Sequence, residues 1–265
     1  MNPVWAYGVS PRRWFAGALA GVLLLTGCGG DPPPPPTEPT PTTPPPAEAD
    51  ARDQLAALAA AAQDRTLTAI YTFTADGRER SVSATVAKDG SWRVDVPDLA
   101  LGATVDISIV HNEIGLFQCA LPSAEQAVTP NCVKIGGPDA DVPDAIDPKV
   151  QRALVTVRHV LTDPRAPLAV SAAAPLAGAG GSCYAVETTT ASVNAALDVG
   201  IYCYDADGTL TGARLEYGQL VLAGPPGPAP ATVAMPGPVT DGRPLGMAAP
   251  PTPMPTVTGS AQPTT

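Results

Sequence analysis

An α+β fold, an antiparallel sheet with a few helices laid against its apolar face, is predicted by three observations in this 265-residue sequence. Apolar residues alternate with period two through much of the span from Leu67 to Leu222, Asp-Gly dipeptides punctuate that alternation, and two other stretches repeat with helical spacing.

The first helix is expected over Ala49 to Asp64, where Leu55 and Leu58 sit among alanines and Asp50 offers an N-cap. Strands follow at Leu67, Ala69, Tyr71 and Phe73; at Val82, Ala84 and Val86; at Trp92, Val94 and Val96; and at Val105, Ile107 and Ile109. The positions between them are mostly Thr, Ser, Arg and Asp, as in strands with one face turned to water. Asp76-Gly77, Asp89-Gly90 and Asp207-Gly208 mark hairpin turns, because glycine tolerates the positive φ that such turns need. A second helix is expected from Pro148 to Leu161, with Asp147 as cap, Pro148 in the first turn, and Val150, Leu154, Val157 and Leu161 on one face. Cys183 to Glu187, Val199 to Tyr204 and Arg214 to Leu222 resume the strand pattern. A one-faced antiparallel sheet interrupted by helices must bury its apolar face against them.

Proline divides the chain. Ten of the thirty-three prolines fall between Asp31 and Pro46 and twelve beyond Ala223, leaving nine in the span between Ala47 and Ala223. That distribution predicts residues 28–46 as an extended Pro/Thr tether, 47–223 as one domain, and 224–265 as a proline-rich, largely disordered tail, of which Val233 to Val239 could lie along the domain surface.

Residues 1–27 read as an export signal: Arg12 and Arg13, an apolar run from Trp14 to Leu25, then small residues before Cys28. Leu25-Thr26-Gly27-Cys28 resembles the bacterial lipobox, which implies cleavage before Cys28 and diacylation of its thiol. Two acyl chains suffice for stable attachment without a spanning helix. A lipid-anchored position on the extracytoplasmic face of the cell membrane is therefore expected. Arg12-Arg13 is also compatible with twin-arginine export.

The remaining cysteines, Cys119, Cys132, Cys183 and Cys203, are even in number, which in an oxidising compartment predicts two disulfides. Three pairings are possible. The sequence-local one, Cys119 with Cys132 and Cys183 with Cys203, is preferred, since its second bridge joins two predicted strands. Zinc is disfavoured, because no C-x-x-C occurs and His111 and His159 lie far apart in sequence.

Formal net charge is −10, which argues against nucleic acid as a partner. No catalytic constellation stands out: His111-Asn112-Glu113 lacks a nucleophile, and Ser182 lacks the elbow pattern of hydrolases. Asp139, Asp141, Asp144 and Asp147 form an acidic stretch without the glycine and terminal glutamate of a calcium loop, and Asp205-Ala206-Asp207-Gly208 is explained as a hairpin turn. No enzyme activity, cofactor or metal is expected.

The order of lipobox, tether, short helix, a meander containing Tyr71-Thr72-Phe73 and Ser91-Trp92-Arg93-Val94, a helical insertion, then Cys183-Tyr184-Ala185-Val186-Glu187 and Tyr202-Cys203-Tyr204-Asp205 resembles the LolA/LppX-like lipoproteins of high-GC Gram-positive bacteria. The resemblance spans Ala47 to about Ala223 and concerns layout, so no binding residue is carried over from it. It implies a strongly curved sheet, a half-barrel, with helices over its apolar face and acyl chains of a lipid or lipoprotein held between. On that expectation the inward sets Trp92, Val94, Val96 and Val105, Ile107, Ile109 are the candidate lining. The alternative is a protein-binding or sensory cell-envelope lipoprotein without a lipid cavity.

Overall fold

The computed structural model describes residues 50–190 and 197–249. The signal, the lipobox with Cys28 and the tether lie outside them. Eleven strands form one antiparallel sheet in the order β6-β5-β4-β3-β2-β1-β11-β10-β9-β8-β7. It is open, with β6 and β7 at its edges. The strands are β1 Leu67–Ala75, β2 Arg78–Val86, β3 Trp92–Leu99, β4 Val105–Asn112, β5 Gly115–Leu121, β6 Asn131–Gly136, β7 Leu168–Ala173, β8 Ser182–Thr188, β9 Gly200–Tyr204, β10 Leu210–Leu215 and β11 Gly218–Leu222. Two meanders, β1 to β6 and β7 to β11, meet where β1 pairs β11 through Tyr71↔Leu222 and Phe73↔Leu220.

Helix α1 spans Ala51–Gln63, and the Asp50 side chain accepts from the Asp53 N–H at 2.8 Å as its cap. α2, Ala100–Ala103, is one turn in which Leu101, Gly102 and Ala103 all have positive φ. The expected helix from Pro148 is altered at its start. Lys149 adopts φ 61°, so regular helix begins at Val150, passes through a π turn at Arg152–Thr156 and ends as α3, Val157–Thr162. The physical reason is Asp147: its carboxylate accepts from the Lys149 N–H at 2.7 Å and so closes a turn of its own ahead of the helix. A 3₁₀ turn, Asp144–Ile146, precedes it.

The largest buried cluster unites Leu55, Ala59 and Ala62 of α1 and Ala153, Val157 and Leu161 of the insertion with Tyr71, Phe73, Val82, Val94, Val96, Tyr184, Tyr202 and Leu220 of the strands. The registers Ala84↔Val94, Val96↔Ile107, Leu220↔Ala213 and Tyr202↔Tyr184 place those strand residues on one face, here the front. Two smaller clusters occupy the back, each around a disulfide.

The segment after β11 belongs to the domain at least as far as Ala249, which corrects the boundary expected at Ala223. Gly227 exchanges two backbone hydrogen bonds with Thr68, and the Lys88 and Asp89 N–H groups donate to Pro230 and Ala231. Val233 is buried on the back against Phe117, Val110 and Ala87. Gly237 crosses against the backbone of Pro130, where an added Cβ would clash. Cys132 of edge strand β6 then donates to Pro238 at 2.8 Å and accepts from Thr240 at 2.9 Å, as in a parallel ladder. On the front, Leu245 exchanges hydrogen bonds with the Gln118 side chain, and Leu101 and Gly102 donate to Gly246 and Met247. This strap therefore passes from back to front around one edge. Proline-rich sequence suits it, since prolines need no N–H partner and lose little entropy on ordering.

Candidate functional site

Both expected disulfides are present. Cys119–Cys132 joins directly opposed residues of β5 and β6, and Cys183–Cys203 joins directly opposed residues of β8 and β9. Each is a staple across two neighbouring strands on the back face.

The six residues expected to line a cavity divide unequally. Val94, Val96, Val105, Ile107 and Ile109 are all 0 % exposed, and the first four lie in the main core cluster. They line neither the pocket beside α1 nor the cleft at the end of the sheet. Trp92 alone faces an opening, stacked on His111 with ring centroids 5.4 Å apart. The reason is position: Trp92 is the first residue of β3, at one end of the strand.

Between the helices and the sheet a partly open pocket of about 30 Å³ remains, lined by Ala62, Leu67, Tyr71, Ala84, Leu154 and Leu210 and on its polar side by Arg65, Arg158 and Thr209. It is water-sized. Side-chain hydrogen bonds join the helices to one another and to the chain entering β7. Arg158 donates to the Ala62 carbonyl at 2.8 Å, Gln63 donates to the Arg158 carbonyl and the Thr162 hydroxyl, and Arg52 donates to the carbonyls of Ala166 and Leu168. Burial of the Arg158 guanidinium lowers its pKa, and His159 beside it is lowered by burial and by that guanidinium, which favours neutral imidazole. Tyr71, Tyr202 and Tyr204 are pushed upward by burial and stay protonated.

A larger cleft of about 800 Å³ opens between the sheet end and the helical insertion. Trp92, His111 and Leu116 form its sheet wall, Gln151, Arg152 and Val155 its helical wall, and Asp139, Asp141 and Asp144 line it from the β6–α3 connection. At its base Asp147, fully buried at the side chain, pairs with Arg152, which also reaches Asp144 at 3.2 Å. Asp198 on the same cleft has its pKa raised by burial, although Arg152 and Lys149 pull the other way. Sequence reasoning missed Gln151, Arg152 and Asp198. No motif in the sequence marks them.

Other candidates separate. Nε2 of His111 lies 2.9 Å from the Pro138 carbonyl, and Glu113 is exposed. Of the acidic stretch, Asp147 turns inward while Asp144 is almost fully exposed. Among the described residues no three His, Cys, Asp or Glu side chains come together as a metal site, and no helix is long and apolar enough to cross a membrane. No protein-family model matches the chain, and no curated protein matches it.

Proposed function

We propose that this chain is a non-enzymatic lipoprotein, anchored through a diacylated Cys28 on the outer side of the cell membrane, that holds acyl chains of a lipid or lipoprotein between a curved, half-barrel sheet and its helices. The observation that carries the reading is the single apolar cluster shared by α1, the insertion and the sheet front, with a small, partly open pocket at its margin. An open sheet of eleven strands, one helix ahead of β1 and helices between β6 and β7 also suit the layout implied by the lipoprotein resemblance.

The pocket holds no acyl chain as it stands, so entry requires the helices to lift. Of the five hydrogen bonds that hold them, the two from Gln63 contribute about 0.5–1.5 kcal/mol each and the three from arginine about 1.5–3 kcal/mol each. Each methylene buried returns about 0.8 kcal/mol, so at most about fifteen methylenes offset the loss of those bonds. Native mass spectrometry of residues 47–265, incubated with envelope phospholipid, tests the idea. Stoichiometric bound lipid, increased when Arg158→Met weakens the clasp, is the expected result. A mass that remains that of the protein alone refutes the carrier role. Anchoring is tested separately: Cys28→Ala should shift the chain from the membrane fraction to the soluble one.

The filled core around Val94 and Ile107 favours a second reading, a protein-binding or sensory lipoprotein that uses the polar cleft and no lipid cavity. The same mass spectrum decides between the two.

A further inference from the structure

The partly open pocket beside α1 is lined by donors that nothing in the protein takes up. Arg158, half-buried, donates Nε to the Val155 carbonyl at 3.0 Å and one terminal nitrogen to the Ala62 carbonyl at 2.8 Å, which leaves its other terminal nitrogen unused. Both acceptors are neutral, and no carboxylate pairs with Arg158 among the described residues. Burying a cation without a counter-charge is costly, and burial lowers the Arg158 pKa accordingly. Arg65, just beyond α1, brings a second guanidinium to the same place. Its backbone N–H donates to the same Ala62 carbonyl at 3.3 Å, one terminal nitrogen is held by Asp207 and Thr209, and its Nε is buried without a partner. Tyr204, 2 % exposed, is the third donor. Its hydroxyl forms no hydrogen bond among the described residues, and it lies close enough to Arg158 for that charge to oppose the upward push of burial on its pKa. The side-chain oxygens on the wall are by contrast engaged: Tyr71 donates to the Leu210 carbonyl, and the Thr209 hydroxyl accepts from Arg65 and donates to Asp207. Asp207 itself is exposed and lines no part of the pocket.

We propose that this pocket is the head-group site for the acyl ligand, holding the oxyanion of a carboxylate or phosphate among Arg158, Arg65 and Tyr204 while the chain follows Leu67, Ala84, Leu154 and Leu210 under the helices. An ionised carboxylate or phosphate offers several acceptor positions and no donor, which matches what the pocket leaves unpaired, and its bonds to guanidinium are charge-assisted. A space of about 30 Å³ admits the oxygens of a head group, and the remainder stands in the opening. The inference rests on the acyl-binding reading and names its ligand class, an anionic lipid in preference to a neutral one.

Native mass spectrometry of the full chain released from non-ionic detergent is the test, with probes offered in equimolar pairs: oleate against oleyl alcohol, and dioleoyl phosphatidic acid against dioleoylglycerol. Each pair shares its chains and differs in the oxyanion. The charged member should be retained at least about tenfold over its neutral partner. A larger ratio for oleate assigns the head group to a carboxylate, and a larger one for phosphatidic acid to a phosphate. Tyr204→Phe should lower the ratio about threefold. Arg158→Met, which also loosens the clasp, should bring the ratio near one while neutral lipid is still retained. If Arg158→Met fails to fold by circular dichroism, Arg65→Met replaces it, with about a threefold loss of the ratio expected. Ratios near one in the parent, or ratios that the variants leave unchanged, overturn the head-group site and leave the carrier reading standing. Retention of none of these lipids removes the carrier reading, and calorimetry with inorganic phosphate then decides the site alone. Saturable binding that is lost in Arg158→Met keeps it as an anion site, and absence of binding overturns it too.

Discussion

The two halves of the sheet solve one problem differently. Each carries a cross-strand disulfide on its back face, and each covers it with apolar side chains from outside the sheet. In the second meander the cover is local: Leu176 and Ala179, from the connection between β7 and β8, lie over Cys183–Cys203. In the first it is distant: Val233 and Met235, about a hundred residues later in the chain, lie over Cys119–Cys132. The difference teaches that the strap does for β1 to β6 what a single hairpin loop does for β7 to β11. The β5–β6 connection, Pro122 to Pro130, is mostly polar or exposed and supplies no such cover.

The comparison is broken most directly by ending the chain at Ala223. That truncation forfeits the burial of Val233, about 1.5–3 kcal/mol, and several hydrogen bonds at about 1 kcal/mol each. A fall of about 5 kcal/mol, or roughly 10–20 °C in Tm, should follow in thermal unfolding. Alkylation mass spectrometry should then find Cys119–Cys132 reduced first, with Cys183–Cys203 as resistant as before. Equal resistance of the two bridges would sink the idea of separate covers.

Replacing either cysteine pair with alanine should cost about 3 kcal/mol by denaturant titration, because sequence separations of 13 and 20 close loops of similar entropy. The sharper result lies in coupling. Loss of Cys119–Cys132 should be non-additive with the truncation, and loss of Cys183–Cys203 additive. Smaller still, Leu176→Ala should cost about 2–3 kcal/mol and Val233→Ala about 1–2 kcal/mol, each sensitising only its own bridge to reductant. The smallest effect belongs to the β9–β10 turn. Hydrogen bonds from Asp205 and Thr209 hold the Asp207 carboxyl at about 2, below its unfolded range. Its contribution is complete above about pH 4 and lost as pH falls through about 2. Exposure limits it to about 0.5 kcal/mol, and Asp205, raised by burial, offsets part of it. Stability curves of Asp207→Asn should converge on those of the parent at the acid end.

Much of the front face was legible. The alternating sets of β1 to β4, the Asp-Gly turns and the Asp50 cap follow from local chemistry, and the structure holds them. β5 was not legible, because Gly115 to Cys119 is buried at every position and alternation vanishes where both faces are covered. The cover on its back is the strap, which reads as a disordered tail when local sequence is the only guide. The candidate lining was not distinguishable from plain core on the same ground. Period two identifies which side chains face inward, but whether an inward side chain meets a cavity or a packed neighbour depends on the helices above it. Trp92 reached the cleft because it stands at the end of its strand. Gln151 and Asp198 carry no sequence signature, since what distinguishes them is which neighbours already hold their donors.

The strap's passage around β6 also bears on how copies of this protein can associate. A sheet grows indefinitely, molecule upon molecule, only if it has two open sides. Here Pro238 and Thr240 occupy hydrogen-bonding positions of Cys132 on one side, while among the described residues β7 pairs only with β8. Edge-to-edge joining is therefore blocked at Cys132 of β6, which leaves β7 as the more open edge among the described residues.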